Sequence, residues 1–161
     1  MFRPVAAHEV PDVWDFVEPG INRIIDKCGS HKHAWTARDI RRHLRDGRGV
    51  LFLVHSWQQE SIDVGPPELP MLDRFLSKSF GFIIVEKCQE PISREPYLNA
   101  WLAWSQPRYF SVIRRKLIAW LDAMRDYERC EWWEFTSPRD EWIPVMQKVC
   151  EKPMKTWRRY R

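Results

Sequence analysis

Three residues of metal-ligating types stand close together at Cys28, His31 and His33, in the pattern Cys-x-x-His-x-His. A structural transition-metal site is normally four-coordinate. No fourth ligand follows at a suitable spacing, so the trio reads as polar turn residues and no metal site is expected. Ser56, Ser105 and Ser137 lack the Gly-x-Ser-x-Gly surroundings of an activated nucleophile, which leaves serine hydrolysis without support. Positive charge is the stronger signal. Arg38, Arg41, Arg42, Arg45 and Arg48 give one predicted helix a basic side. Near the C-terminus, Lys148, Lys152, Lys155, Arg158, Arg159 and Arg161 face the single acid Glu151, with Trp157 and Tyr160 interleaved. Such basic-aromatic stretches suit a phosphate backbone with stacked bases, or an acidic protein partner. The segment Trp157, Arg158, Arg159, Tyr160 and Arg161 is therefore the candidate partner-binding element.

The rest of the composition bounds what can carry these residues. A chain of 161 residues, 44% apolar and 30% charged, fits one globular domain able to bury a core without staples. Its longest apolar runs, such as Phe80 to Val85, are strand-sized, so no bilayer span is expected and no membrane partner. The start Met1-Phe2-Arg3-Pro4 lacks an apolar signal region. Cys28, Cys88, Cys130 and Cys150 are scattered without a CxxC pair and read as reduced intracellular thiols. Ten Trp is a heavy load for this length. Trp is seldom fully buried, so some of these indoles are expected at a partner surface.

Periodicity supplies the elements. Val10, Val13, Trp14, Val17, Ile21, Ile24 and Ile25 predict an amphipathic helix over 11–27, kinked or split at Pro19-Gly20. Thr36 and Asp39 have the spacing of a capping box, which opens a second helix ending at Gly47. Strands are predicted at Gly49 to His55, Phe80 to Val85, and Tyr97 to Trp104, the last apolar on both faces and so interior to a sheet. Residues 57–78, with Gly65-Pro66-Pro67 and Pro70, form a long loop or arm. Val112, Ile113, Lys116, Leu117, Trp120, Leu121 and Met124 define one stripe of a helix over Ser111 to Arg129. Trp132 to Thr136, Glu141 to Val149 and Met154 to Tyr160 then read as strand, helix and strand.

This order, and the segment Glu134-Phe135-Thr136-Ser137-Pro138-Arg139 followed by Trp142 and Lys152-Pro153, resembles the GNAT (acetyl-CoA N-acyltransferase) family, particularly GNAT-like proteins encoded in bacteriophage genomes. The likeness covers residues 80–161 in sequence and the remainder by element order. It implies an α/β (α+β) three-layer domain over 1–161, with a mixed, mostly antiparallel sheet flanked by helices. In that family the strand matching 97–104 runs into a Gln/Arg-x-x-Gly-x-Gly/Ala loop. Its glycines bring backbone N–H groups onto the CoA pyrophosphate at a helix N-terminus. Here the loop is Gln106-Pro107-Arg108-Tyr109-Phe110-Ser111. Gln106 matches, Tyr109 and Ser111 replace the small residues, two aromatics are expected to fill the loop, and Pro107 removes a donor. The family's proton-donating Tyr would fall at or near Met146, where there is none, and strand 97–104 lacks a carboxylate for a general base.

These departures imply a catalytically silent GNAT-like phage protein, without catalytic residues or cofactor. It would be a structural or interaction component of a virion or its assembly, made in host cytoplasm and docking other virion proteins. The same resemblance allows an acetyl-CoA-dependent N-acyltransferase with a divergent loop, in which Trp104, Gln106 and Arg108 would meet acetyl-CoA. A host-directed, nucleic-acid-binding factor acting through the basic patches is the third reading.

Overall fold

Alternation along strands decides the layers. A computed structural model describes residues 2–28, 35–55, 76 and 78–135. Five strands form one sheet in the order β1-β2-β3-β4-β5: β1 (Phe2–Val5), β2 (Val50–His55), β3 (Ser79–Gln89), β4 (Pro96–Ser105) and β5 (Trp132–Phe135). The first four pair antiparallel, and β5 joins β4 in parallel. Leu51, Leu53, Phe82 and Ile84 point to one face, where they meet Val13, Trp14, Val17 and Ile21 of α1 (Val10–Cys28) and Ile40 and Leu44 of α2 (Ala37–Arg45). Phe52, Val54, Ile83, Val85, Leu98 and Ala100 point to the other, onto Ile113, Leu117 and Leu121 of α3 (Phe110–Glu128). The unbroken apolar runs in β2 and β3 follow from burial on both faces. The expected three-layer α+β architecture, with a mostly antiparallel mixed sheet, is the observed one.

Local signals set the helix ends. Thr36 caps α2 by accepting from the Asp39 backbone N–H (3.2 Å), while the Asp39 carboxylate accepts from the Thr36 backbone N–H (3.1 Å), completing the box. Gly47, at φ +69°, supplies the left-handed turn after the helix. Arg129 adopts the same region at the end of α3.

Several expectations require correction. Pro19-Gly20 does not split α1, which is helical from Val10 to Cys28 with Pro19 inside it. Gly20 has another role, because a Cβ there would lie 2.6 Å from Phe82 and 2.8 Å from a Trp104 ring carbon. The glycine lets the helix approach the sheet. Lys116 is exposed, off the buried stripe of Ile113, Leu117 and Leu121. Strand β1 escaped prediction because Pro4 interrupts its pattern, and it sits at the sheet edge, where a missing N–H is tolerated. Most of the 57–78 arm, the helix at Glu141 to Val149 and the strand at Met154 to Tyr160 lie outside the described residues.

Gly20→Ala separates helix propensity from packing. Propensity alone would favour Ala by about 1 kcal/mol, whereas overpacking costs about 1–3 kcal/mol. Thermal melting should show a lowered midpoint. A raised midpoint would mean that α1 does not lie this close to Phe82 and Trp104.

Candidate functional site

The parallel ladder between β4 and β5 is short. It pairs Tyr97 with Trp132, Leu98 with Trp133, Asn99 with Glu134 and Ala100 with Phe135. Beyond Ala100, β4 continues to Ser105, and among the described residues nothing pairs with Trp101–Ser105 on that side. The change falls at an irregularity. On the β3 side Val85 opposes Ala100 and Ile84 opposes Leu102, so Trp101 is an extra, bulged residue. Consecutive residues Trp101 and Leu102 accordingly both pack towards α1 and α2.

This stretch of β4 leads directly into the start of α3. Gln106 donates its backbone N–H to the Phe80 carbonyl (2.8 Å), and a 3-10 turn over Pro107–Tyr109 follows. Neither that turn nor α3 has a side-chain cap, and neither carries an acid in its first turn. The positive end of the α3 dipole therefore favours an anion here. Arg108 is exposed there, its guanidinium 4.8 Å from the Tyr109 ring centroid. The loop aromatics do not fill the loop as expected. Tyr109 stacks on Phe80 at 4.3 Å, and Tyr109 and Phe110 both pack against the α3-side core. Pro107 occupies a first-turn position, where its missing donor costs least.

Solved structures share the fold over essentially the whole chain. A ribosomal-protein-alanine N-acetyltransferase from Brucella melitensis biovar Abortus 2308 superposes with TM-score 0.62 and 10% identity, covering 100% of this chain and 99% of that one. A GCN5-related N-acetyltransferase from Ralstonia eutropha JMP134 gives 0.61 at 10% identity, covering 99% and 97%. An aminoglycoside acetyltransferase from an uncultured soil metagenomic sample gives 0.59 at 11%, covering 100% and 94%. The fold is that of the GNAT acetyltransferases. No family model matches the chain, and no curated protein sequence does. At such identities the GNAT likeness is one of fold, and it lends no support to a phage origin.

Within the GNAT frame the three expected cofactor contacts lie at alternate positions of the chain but differ in exposure. Trp104 is turned inward, with its ring 5.9 Å from Phe82 and 6.3 Å from Phe16, and Arg23 lies over it at 5.9 Å. Only its backbone lies along that edge of β4. Gln106 and Arg108 flank the start of the 3-10 turn. Trp157, Arg158, Arg159, Tyr160 and Arg161 lie outside the described residues, as do His31, His33 and Met146. The basic side of α2 is partly neutralised. Arg42 pairs with Asp39 at 2.8 Å, and Arg41 lies over Trp14 at 5.4 Å.

Residue-by-residue reading of strand 97–104 missed the carboxylates, because they sit on its neighbours. Glu86 of β3 opposes Asn99, and Asn99 opposes Glu134 of β5, so the three form one row across the sheet. Cys88, Tyr97 and Trp132 form the next row, with the Tyr97 and Trp132 rings stacked at 5.3 Å and 4°. His43 of α2 is buried, and its Nε2 lies 2.8 Å from Glu86 Oε1. The rings of Trp101 and Trp35 meet the imidazole at 5.1 and 5.4 Å. Burial raises the Glu134 carboxyl above the ordinary carboxylate range. Burial, with charge on Cys88 and Glu134, pushes the Tyr97 phenol up to about 12.

A carboxyl whose folded pKa is raised binds its proton more tightly in the folded than in the unfolded chain. Stability therefore falls as pH rises from the ordinary carboxylate value through the folded one. Glu134→Gln should raise the melting temperature at neutral pH, and the gain should shrink on acidification through that window. An equal gain at both ends would show that the carboxylate carries no burial penalty.

Proposed function

We propose that the chain is an acyl-CoA-dependent N-acyltransferase of the GNAT type. The observation that carries this reading is the β4 edge beyond the Trp101 bulge, unpaired on that side among the described residues, running into a helix start without a side-chain cap. An extended, amide-bearing ligand can add to such an edge as a strand would. A phosphate-bearing ligand suits the helix start, where Arg108 adds charge. The residues present fit CoA in that sense. Tyr109 and Phe110 are withdrawn onto the core, so their bulk does not occupy the approach. The glycine cradle of the family pattern is still replaced, so Arg108 bears more of the phosphate than backbone donors do.

When bound, acetyl-CoA supplies an acyl thioester as the electrophile. Arg108 and the first turn of α3 would hold the phosphates, and the β4 backbone from Trp101 to Ser105 would offer amide partners to the rest of the cofactor. Glu134 suits the role of proton acceptor for an incoming amine, because burial has made its carboxylate more basic. Amines are also the acceptors implied by the N-acetyltransferase names of the structural relatives. Of the docking elements expected for a silent role, the C-terminal strand and most of the 57–78 arm lie outside the described residues, and the fold relatives are acetyltransferases.

Calorimetric titration with acetyl-CoA should give a dissociation constant in the range of about 1 µM to 1 mM usual for enzyme substrates. Arg108→Ala should weaken it about tenfold, the size of one lost charged contact. Absence of heat at millimolar acetyl-CoA would overturn the acyltransferase reading.

A further inference from the structure

We infer that the face at this end of the sheet, open among the described residues, is the acceptor subsite, and that it takes a diamine, with Glu86 and Glu134 each receiving one cationic nitrogen. The inference rests on the acyl-transfer reading and specifies its second substrate. Glu86, Cys88, Tyr97, Asn99, Trp132 and Glu134 share one face by strand alternation and register. On that face α1 and α2 pack over Leu51, Leu53, Phe82 and Ile84, with Trp101, Leu102 and Trp104 against the same cluster, and α2 reaches the six through His43 on Glu86. All six side chains at this end are half-buried, and none belongs to either core cluster.

The chemistry of this end selects its ligand. Hydrogen bonds and ion pairs join Glu134 to no described residue. A half-buried carboxylate without a partner is costly, and an ammonium group relieves that cost. Glu86 is different, because His43 fixes one of its oxygens at 2.8 Å and leaves the other to a ligand. Two strand spacings of about 4.8 Å put the two backbones about 10 Å apart, with Asn99 between them. Aromatic rings border both ends, the Tyr97–Trp132 stack beside Glu134 and the Trp101–Trp35 pair beside His43. Trp35 is 48% exposed, unusual for an indole packed on two other rings. Aromatic faces attract alkylammonium groups as well as their methylene chains. Lys87, the nearest lysine in sequence, is directed to the opposite side, where it bonds the Glu128 carbonyl at 2.6 Å.

The test compares putrescine, butylamine and butanediol by titration without acyl-CoA, using intrinsic Trp fluorescence and calorimetry. Putrescine should bind at least about tenfold more tightly than either analogue, since each lost charged contact is worth roughly that factor. Glu86→Gln and Glu134→Gln should each remove about tenfold of the putrescine affinity and leave acetyl-CoA titration unchanged. The ligand series on the unaltered protein needs no variant to fold. Equal affinity for putrescine and butanediol, or unchanged putrescine affinity in both variants, would overturn the diamine subsite. Putrescine binding that depends on both glutamates in a chain that ignores acetyl-CoA would keep the subsite and discard the acyl-transfer reading. Acetyl-CoA binding with glutamate-independent putrescine affinity would do the reverse.

Discussion

Parallel pairing of β5 with β4 is the constraint from which the site follows. Two parallel neighbours require a crossover, and α3 provides it. A crossover helix must begin beyond the end of the first strand, so the N-terminus of α3 stands at the tip of β4. There the positive end of its dipole meets the strand edge. The Trp101 bulge adds local twist at the residue where the described ladder stops. A backbone edge and an anion-favouring helix start are thereby placed next to each other by topology, without any particular side chain at the loop.

The heavy tryptophan content has a structural account on the described residues. Trp14 is buried between α1 and the sheet, and Trp104 fills the space above Gly20. Trp120 braces the sheet edge, stacking on Phe2 at 4.3 Å and meeting Phe52 edge-on at 4.8 Å. Trp133 packs on the α3-side core and donates its Nε1–H to Asp122 at 2.8 Å. Trp35, Trp101 and Trp132 border the carboxylate row instead. The same residue type thus serves as core and as site wall, and the helices decide which by where they end.

Much of this was legible in the sequence. Heptad-like spacing located α1 and α3, the Thr36–Asp39 box located α2, and the doubly apolar strand at 97–104 was correctly interior. What could not be read depended on register. Glu86 and Glu134 are 48 positions apart in the chain, and only the pairing of both with Asn99 makes them neighbours. The loop was misjudged for a related reason. Tyr109 and Phe110 look obstructive in a motif, but their side chains go where the α3 core has space, a fact set by Phe80 on another strand. Pro19 was misread because interior prolines usually break helices, and α1 is held by packing along its length.

Amide hydrogen exchange of the chain with and without acetyl-CoA tests the central claim, that the edge of β4 beyond the bulge receives the cofactor. Protection should rise at alternate amides of Trp101–Ser105, those directed away from β3, and in the first turn of α3. Exchange in β1 and β2 should stay unchanged. Protection gained elsewhere, with the β4 edge and the start of α3 unaffected, would contradict the account.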